Sequence, residues 1–117
     1  MSYPQKNLYK KLFGLKGENL AVKHIKKCGY KLIKRDYVTP FGEADIIAER
    51  DGETVFIEVK TRSDVSFGLP REAVDSKKQE KYRKIAEYYA LKFGERPTSF
   101  AVAEVMGGEV NLIERAF

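Results

Sequence analysis

Asp45 and Glu58 stand on either side of a short hairpin signal, and their spacing could bring two carboxylates together. Asp51-Gly52 between them is a strong signal for a two-residue β-hairpin loop. With that loop, Arg50 pairs with Glu53, and the same register places Asp45 opposite Glu58. Opposed side chains of an antiparallel pair have β-carbons about 4.5–5.5 Å apart. The spacing therefore predicts a close pair of carboxylates.

Such a pair needs a partner of opposite charge. At this separation two ionised carboxylates repel by roughly 3 kcal/mol at an effective dielectric of about 20. A shared proton, a nearby cation or a bound metal would relieve the repulsion. A hard divalent ion suits oxygen ligands of this kind. The pattern indicates a metal site between Asp45 and Glu58.

Two alternatives stay open for these residues. Side-chain alternation puts Glu43 and Lys60 on the same face as Asp45 and Glu58, so a structural salt-bridge network explains the same four residues. The register is also an assumption, because a three-residue loop would place Asp45 and Glu58 on opposite faces.

Glu18 lies near the apolar face of the first predicted helix, where a carboxylate is rarely buried without a partner. If that helix covers the active face of the sheet, Glu18 can approach Asp45 and Glu58. It is a third candidate for the same site.

The periodicity predicts a first helix over Gln5–Cys28, in which Leu8, Leu12, Leu15 and Val22 form the apolar stripe and Cys28 is a small core residue. The residues that follow read as alternating strands separated by turn signals. The predicted strands are Tyr30–Val38, Glu43–Arg50, Glu53–Arg62, Phe100–Met106 and Glu109–Arg115.

A second helix is predicted over Ser76–Phe93, with Ser76 and Gln79 as a capping box. Its expected buried stripe consists of Tyr82, Ile85, Ala86, Tyr89 and Phe93. The order is α-β-β-β-α-β-β, which favours an antiparallel meander whose third strand is followed, after a helix, by a parallel neighbour. The fold class is therefore α/β, with three layers and a mixed five-stranded sheet flanked by helices.

The chain has 117 residues, 43% of them hydrophobic, which suits a single domain over 1–117. A polar N-terminus, the lack of any long apolar run and a single cysteine predict a cytoplasmic protein without a membrane partner. The formal net charge is +5, and lysines crowd the first third of the chain. Such clusters attract polyanions, although charge alone favours the simpler interpretation of a solvated lysine-rich surface.

The segments Gly42–Ala48 and Val55–Arg62 resemble those of the YraN-like family of bacterial proteins. The Asp…Glu-x-Lys arrangement resembles that of the PD-(D/E)XK, or restriction-endonuclease-like, superfamily, which includes archaeal Holliday-junction resolvases. The resemblance covers nearly the whole chain. It departs from the family at Ser99-Phe100-Ala101, where an Arg-Phe-Asp run is usual.

The resemblance implies a restriction-endonuclease-like fold and a Mg²⁺- or Mn²⁺-dependent nuclease. Asp45, Glu58 and the Val59 carbonyl would hold the metal, Lys60 would position the attacking water, and Glu18 would complete the site. Gln79 would touch the metal water or the phosphate, with its capping role as the alternative. Further nucleic-acid-binding candidates are Arg62, Arg71 and Lys78.

The expected partner is nucleic acid, branched or single-stranded, with DNA favoured over RNA, and the superfamily resolvases imply a homodimer. The runner-up is a module on the same fold that binds nucleic acid without cutting it. A third reading is a protein-interaction domain whose lysine-rich first helix holds an acidic partner.

Overall fold

The computed structural model describes residues 3–62 and 74–117, and within them every predicted element is present with ends within two residues of the prediction. None of the described helices is long and apolar enough to span a bilayer. The elements are α1 Tyr3–Lys27, β1 Lys31–Thr39, β2 Gly42–Arg50, β3 Glu53–Arg62, α2 Ser76–Phe93, β4 Thr98–Met106 and β5 Glu109–Ile113.

The five strands form one mixed sheet in the order β1-β2-β3-β4-β5. The first three are an antiparallel meander, β3 and β4 are parallel, and β5 returns antiparallel to β4. A parallel pair needs a crossover connection, and α2 lies in it. The predicted topology is confirmed.

A helix packs on each face of this sheet, which gives the three predicted layers. On one face Ala21 and Ile25 of α1 pack against Ile57 and its neighbours, forming the first core cluster. On the other face Tyr82 and Ile85 of α2 pack with Phe56 in the second cluster. Successive residues of β3, such as Phe56 and Ile57, therefore pack against helices on opposite faces of the sheet.

Ala101, where the resemblance leads us to expect an aspartate, is fully buried in the first cluster and faces Ile57 across the parallel pair. Its small apolar side chain is therefore part of the packed core.

The apolar stripe expected along the first half of α1 is wrong. Leu8, Leu12 and Leu15 are all about half exposed. Among the side chains of α1 that the structure describes (residues 8 and 12–27), burial begins at Gly17, because the C-terminal half of α1 lies over the sheet. The buried face there consists of Gly17, Ala21, Val22 and Ile25.

The ends of both helices also correct the sequence interpretation. Cys28 lies just past the last residue of α1 and is exposed, so it is not a core residue. Phe93 in the last turn of α2 is half exposed. The N-cap of α2 is Asp75 rather than Ser76, because the Asp75 backbone is extended and its carboxylate accepts from the Lys78 amide at 2.9 Å.

Candidate metal centre

Strands β2 and β3 separate at Asp45. Their ladder runs from Arg50–Glu53 to Ile46–Ile57, in the predicted register, so the two-residue loop is confirmed. One step further, the Asp45 carboxylate accepts a hydrogen bond from the Val59 amide at 2.8 Å. A side chain thus bonds the β3 backbone just beyond the point where the strand pairing stops.

The sequence analysis expected Glu43, Asp45, Glu58 and Lys60 to lie on one face of a continuous β2–β3 ladder. Because the two strands separate at Asp45, the described ladder does not extend to these residues. Glu43 is not paired with Lys60 in the described ladder, because the pairing has ended before that step. Instead, the two helical layers both contribute to the site. Carboxylate oxygens of Glu18 on α1, Asp36 on β1 and Asp45 on β2 lie within 4.8 Å of one another.

The Asp45 carboxyl lies in a setting that disfavours its charge. Burial is the main cause that raises its pKa from 3.8 to about 7, and the negative charge of Glu58 is the second. The Val59 amide opposes this rise, while Glu18 and Asp36 add to it. The ranking indicates that Glu58 acts on Asp45 more strongly than the other two acids do.

Glu18 is partly neutralised by a cation on β1. Burial raises its pKa, and the hydrogen bond from Arg35 at 3.0 Å opposes the rise. Asp36 raises it again through its charge and a side-chain hydrogen bond. Glu18 thus lies in one cluster with Asp36 and Asp45, and its approach to Asp45 agrees with the expectation from the sequence.

Glu58 is held from the α2 side. Its carboxylate is nearly buried and pairs with the Lys78 ammonium at 3.1 Å. The pKa of the Lys60 ammonium is lowered first by burial and then by the neighbouring Lys78. Two ammonium groups thus stand beside the acid that sequence analysis paired with Asp45.

Tyr82 links the two acids from within the second core cluster. Its hydroxyl is hydrogen-bonded to Glu58 and is 3.5 Å from the Asp45 amide nitrogen. Burial, followed by the charges of Asp45 and Glu58, raises the pKa of this phenol far above its ordinary value. Tyr82 is therefore a neutral donor that helps to fix the pair.

A cavity of about 320 Å³ opens beside the acids, between α1 and β3. Its lining includes Glu18, Asp45 and the expected ligand residue Val59, together with Phe13 and Thr61. The cavity brings three of the candidate metal-binding residues to one accessible volume.

The remaining candidates are placed differently. Arg62 forms an ion pair with Glu104 at 3.2 Å. Gln79 donates its side-chain amide to the Val74 carbonyl at 3.1 Å, so it ties down the start of α2. Arg71 lies outside the described residues.

Asp36 and Arg35 were missed by the sequence analysis. Asp36 has a positive φ of 48°, which aspartate tolerates better than most residues, and an interruption of the β1–β2 register precedes it at Leu32/Lys34. Nothing in the local pattern distinguishes it from an exposed strand residue. Arg35 was counted only as part of the basic cluster.

The donor set fits a hard divalent cation. Carboxylate oxygens are the ligands that Mg²⁺ and Mn²⁺ prefer, and a +2 charge would relieve the repulsion that raises the pKa of Asp45. Glu18, Asp36 and Asp45 lie close enough together to supply those oxygens to one ion, whereas Glu58 is paired with Lys78 and is not part of this group. The arrangement is suited to binding one ion beside two lysine ammonium groups.

Fold and site together define a three-layer α/β domain with a cluster of acids where two strands of its sheet separate. The chain belongs to the uncharacterised protein family UPF0102, whose profile matches residues 17–105 and so includes every acid described above. This membership confirms the YraN-like resemblance.

Bacterial relatives match most of the chain. A UPF0102 protein of Caldanaerobacter subterraneus subsp. tengcongensis is 42% identical over 102 residues, covering 86% of this chain and 84% of its own. One from Caldicellulosiruptor bescii is 42% identical over 116 residues, covering 92% and 98%. One from Dictyoglomus thermophilum is 46% identical over 79 residues, covering 68% and 67%.

Proposed function

We propose that this protein is a metal-dependent nuclease of the PD-(D/E)XK type that hydrolyses phosphodiester bonds of nucleic acid, DNA rather than RNA. The observation that carries the proposal is the convergence of Glu18, Asp36 and Asp45 within 4.8 Å, with the charge of Glu58 bearing on Asp45. Clustered acids whose mutual repulsion and partial burial raise a pKa are typical of functional sites.

The acids would hold Mg²⁺ or Mn²⁺, with Asp45 and Glu58 as the main ligands and Glu18 and the Val59 carbonyl completing the set. When bound, the ion would lower the pKa of a water and neutralise charge on the phosphate oxygens. Tyr82 and the Val59 amide keep the carboxylates oriented by hydrogen bonds from the sheet and α2.

The lysines would act on the phosphate. Lys60 follows Glu58 by two residues on β3, so its ammonium can lie beside a phosphate that contacts the ligands. Lys78 neutralises Glu58 at 3.1 Å in the described structure. Ion binding would take over that neutralisation and leave the Lys78 ammonium available to the nucleic acid.

The decisive experiment measures cleavage of single-stranded, duplex and branched DNA with Mg²⁺ or Mn²⁺. Asp45→Asn and Glu58→Gln should each lower the rate at least about a hundredfold, since each removes a charge that holds the ion. In parallel, Mn²⁺ should raise the melting temperature of the wild type more than that of Asp45→Asn.

The matched control is Glu49→Gln, which removes a carboxylate of the same strand, β2, that pairs with Arg96 at 3.1 Å instead. It should cleave like the wild type. Cleavage that survives Glu58→Ala, or equal Mn²⁺ shifts in wild type and Asp45→Asn, would refute the proposal.

A non-catalytic nucleic-acid-binding module is the second candidate, and the Lys78–Glu58 ion pair favours it, because an internal cation already neutralises Glu58. Salt-dependent DNA binding without cutting under either metal would support it. The homodimer implied by the resolvase resemblance remains a prediction, which the particle mass in solution tests.

A further inference from the structure

Three small cavities adjoin one another along α1, and together they form a groove that starts at the acidic cluster. The cavity beside Asp45 shares Phe13 and Thr61 with a second of about 340 Å³. The second shares Leu20 and Gly108 with a third of about 440 Å³. The groove therefore runs from the candidate metal centre toward the turn between β4 and β5.

One edge of this groove is a row of lysines. Lys16 lines the second cavity, and Lys23 and Lys27 line the third. With Leu20 between them, they follow the i, i+4, i+7, i+11 spacing of a single helix flank, next to the buried face of α1. All three lysines are exposed.

Within the part of the chain that the structure describes, the positive charge of this row is not offset by ion pairs. No ion pair found among residues 3–62 and 74–117 involves Lys16, Lys23 or Lys27. Glu109 lines the third cavity, and Arg62 in the second is paired with Glu104 at 3.2 Å. In the second and third cavities the three lysines therefore outnumber Glu109, the one acid that lines these two cavities.

Phe13 supplies an aromatic surface at the junction of the first two cavities, and 43% of it is exposed. A positively charged groove combined with exposed aromatic rings is typical of proteins that bind single strands, where the cations follow the backbone and the rings stack on bases. A ring can stack in this way only on a base that is unpaired.

We propose that this groove binds a single strand of nucleic acid, with its phosphates along Lys16, Lys23 and Lys27 and a base on Phe13, and leads it to the acidic cluster. The identity of the polyanion rests on the proposed function. The three lysines and Phe13, which would contact the strand, are separate residues from those that would hold the ion.

The test measures binding of a labelled oligothymidylate of about 12 nucleotides, a length within the range of known single-strand sites. Fluorescence anisotropy is recorded in EDTA over a series of salt concentrations, so that binding is separated from cleavage. Replacing Lys16, Lys23 and Lys27 together by Gln should weaken binding and reduce the slope of log affinity against log salt by about 2.

A matched triple variant replaces three exposed lysines outside the groove by Gln: Lys26, Lys31 and Lys84. It changes the net charge equally but should keep the wild-type slope to within about 0.7, the effect of one phosphate contact. Unchanged melting temperatures would show that both proteins are folded. Equal losses in the two triple variants would overturn the inference, since they would indicate only a general attraction to positive charge.

Phe13→Ala should weaken oligothymidylate binding at least about fivefold through loss of stacking. The control Phe41→Ala removes a similarly exposed ring, 48%, that packs near Tyr88 at the β1–β2 turn. Equal affinities of Phe13→Ala and wild type would contradict the assigned base position.

Duplex DNA and oligouridylate complete the comparison. Weaker binding of duplex than of either single strand supports the groove, and the ratio of the two single strands tells DNA from RNA. Tighter binding of duplex would overturn the single-strand assignment. Lysine-dependent binding without any metal-dependent cleavage would uphold this inference while refuting the proposed nuclease.

Discussion

The Asp45 carboxyl makes the folded protein bind a proton more tightly than the unfolded chain does. Its pKa is 3.8 when unperturbed and about 7 in the fold, mainly because of burial and the charge of Glu58. Between these values the native state holds a proton that the unfolded state has released, so stability falls as pH rises through that window. Burial of Glu18 acts in the same direction.

We predict that Asp45→Asn flattens this pH dependence. Since a tenfold change in proton affinity corresponds to about 1.4 kcal/mol, the wild type should lose up to about 4 kcal/mol relative to Asp45→Asn between about pH 4 and pH 8. The Asn oxygen can still accept from the Val59 amide, so the geometry is kept. Urea unfolding in EDTA across this pH range measures the difference.

Asp51→Asn is the control, because Asp51 is an exposed carboxylate in the β2–β3 turn. The free energy of unfolding of Asp51→Asn should change with pH in parallel with that of the wild type. Parallel curves for wild type and Asp45→Asn would contradict the raised pKa. Saturating Mn²⁺ should also reduce the stability that the wild type loses at high pH, because the ion binds the ionised Asp45 carboxylate.

Helix α1 approaches strand β3 closely at Gly17, the residue before Glu18. A β-carbon at this position would overlap the Thr61 hydroxyl and lie 3.0 Å from the Thr61 methyl carbon and 3.1 Å from its β-carbon. Rotation of the branched threonine side chain exchanges hydroxyl and methyl without clearing the space. The absence of a side chain at Gly17 therefore allows Glu18 to be brought toward Asp45.

We predict that Gly17→Ala destabilises the protein by about 1–3 kcal/mol through overpacking, despite the better helix propensity of alanine. Gly14→Ala is the matched control, since nothing lies within 4 Å of its added β-carbon. It should stabilise by up to about 1 kcal/mol. Free energies of unfolding in urea measure both.

The double variant Gly17→Ala with Thr61→Ala should recover part of the loss, because it removes the two atoms that clash most closely. A Gly17→Ala protein as stable as Gly14→Ala would show that α1 does not need the close approach. If Mn²⁺ no longer stabilised Gly17→Ala but still stabilised Gly14→Ala, the position of α1 would be linked to metal binding by the carboxylate cluster.

The local sequence predicted the helices and strands well, because the strands and α2 each show the spacing of apolar residues that is typical of their type of secondary structure. The Asp51-Gly52 loop also determined the β2–β3 register, as the pairs Arg50–Glu53 and Ile47–Phe56 show. The burial of α1 was predicted less well. Leu8, Leu12 and Leu15 obey helical spacing, but spacing cannot tell which part of a helix lies over the sheet.

The candidate site was predicted in its central residues and missed at its edges. Glu18, Asp45 and Glu58 stood out because acids near apolar or paired positions need partners. Asp36 reaches the cluster through a positive φ next to a register irregularity in β1, which no pattern in the sequence reveals. Lys78 was expected to bind a phosphate, and in the structure its ammonium pairs with Glu58. The sequence could not predict this pair, because it depends on how α2 packs against the sheet.

At the scale of the whole molecule, the residues after β5 cross back over the sheet and connect its strands to α2. Arg115 pairs with Glu53 at 2.9 Å, and the Ala116 amide donates to the Phe100 carbonyl at 2.9 Å. The Phe117 ring then stacks on Phe100 with centroids 5.0 Å apart and meets the ring of Tyr82 edge-on at 6.0 Å. This segment therefore closes the second core cluster beneath the tyrosine that contacts Glu58.

We predict that Phe117→Ala lowers the free energy of unfolding by about 1–3 kcal/mol, because it removes two ring contacts and leaves apolar surface of the second cluster open to water. Phe117→Leu should restore part of this loss by refilling the volume. Phe41→Ala, which removes a half-exposed ring at the β1–β2 turn, should cost less than about 1 kcal/mol. Equal losses for Phe117→Ala and Phe41→Ala in urea unfolding would mean that the segment after β5 adds nothing to the layer it covers.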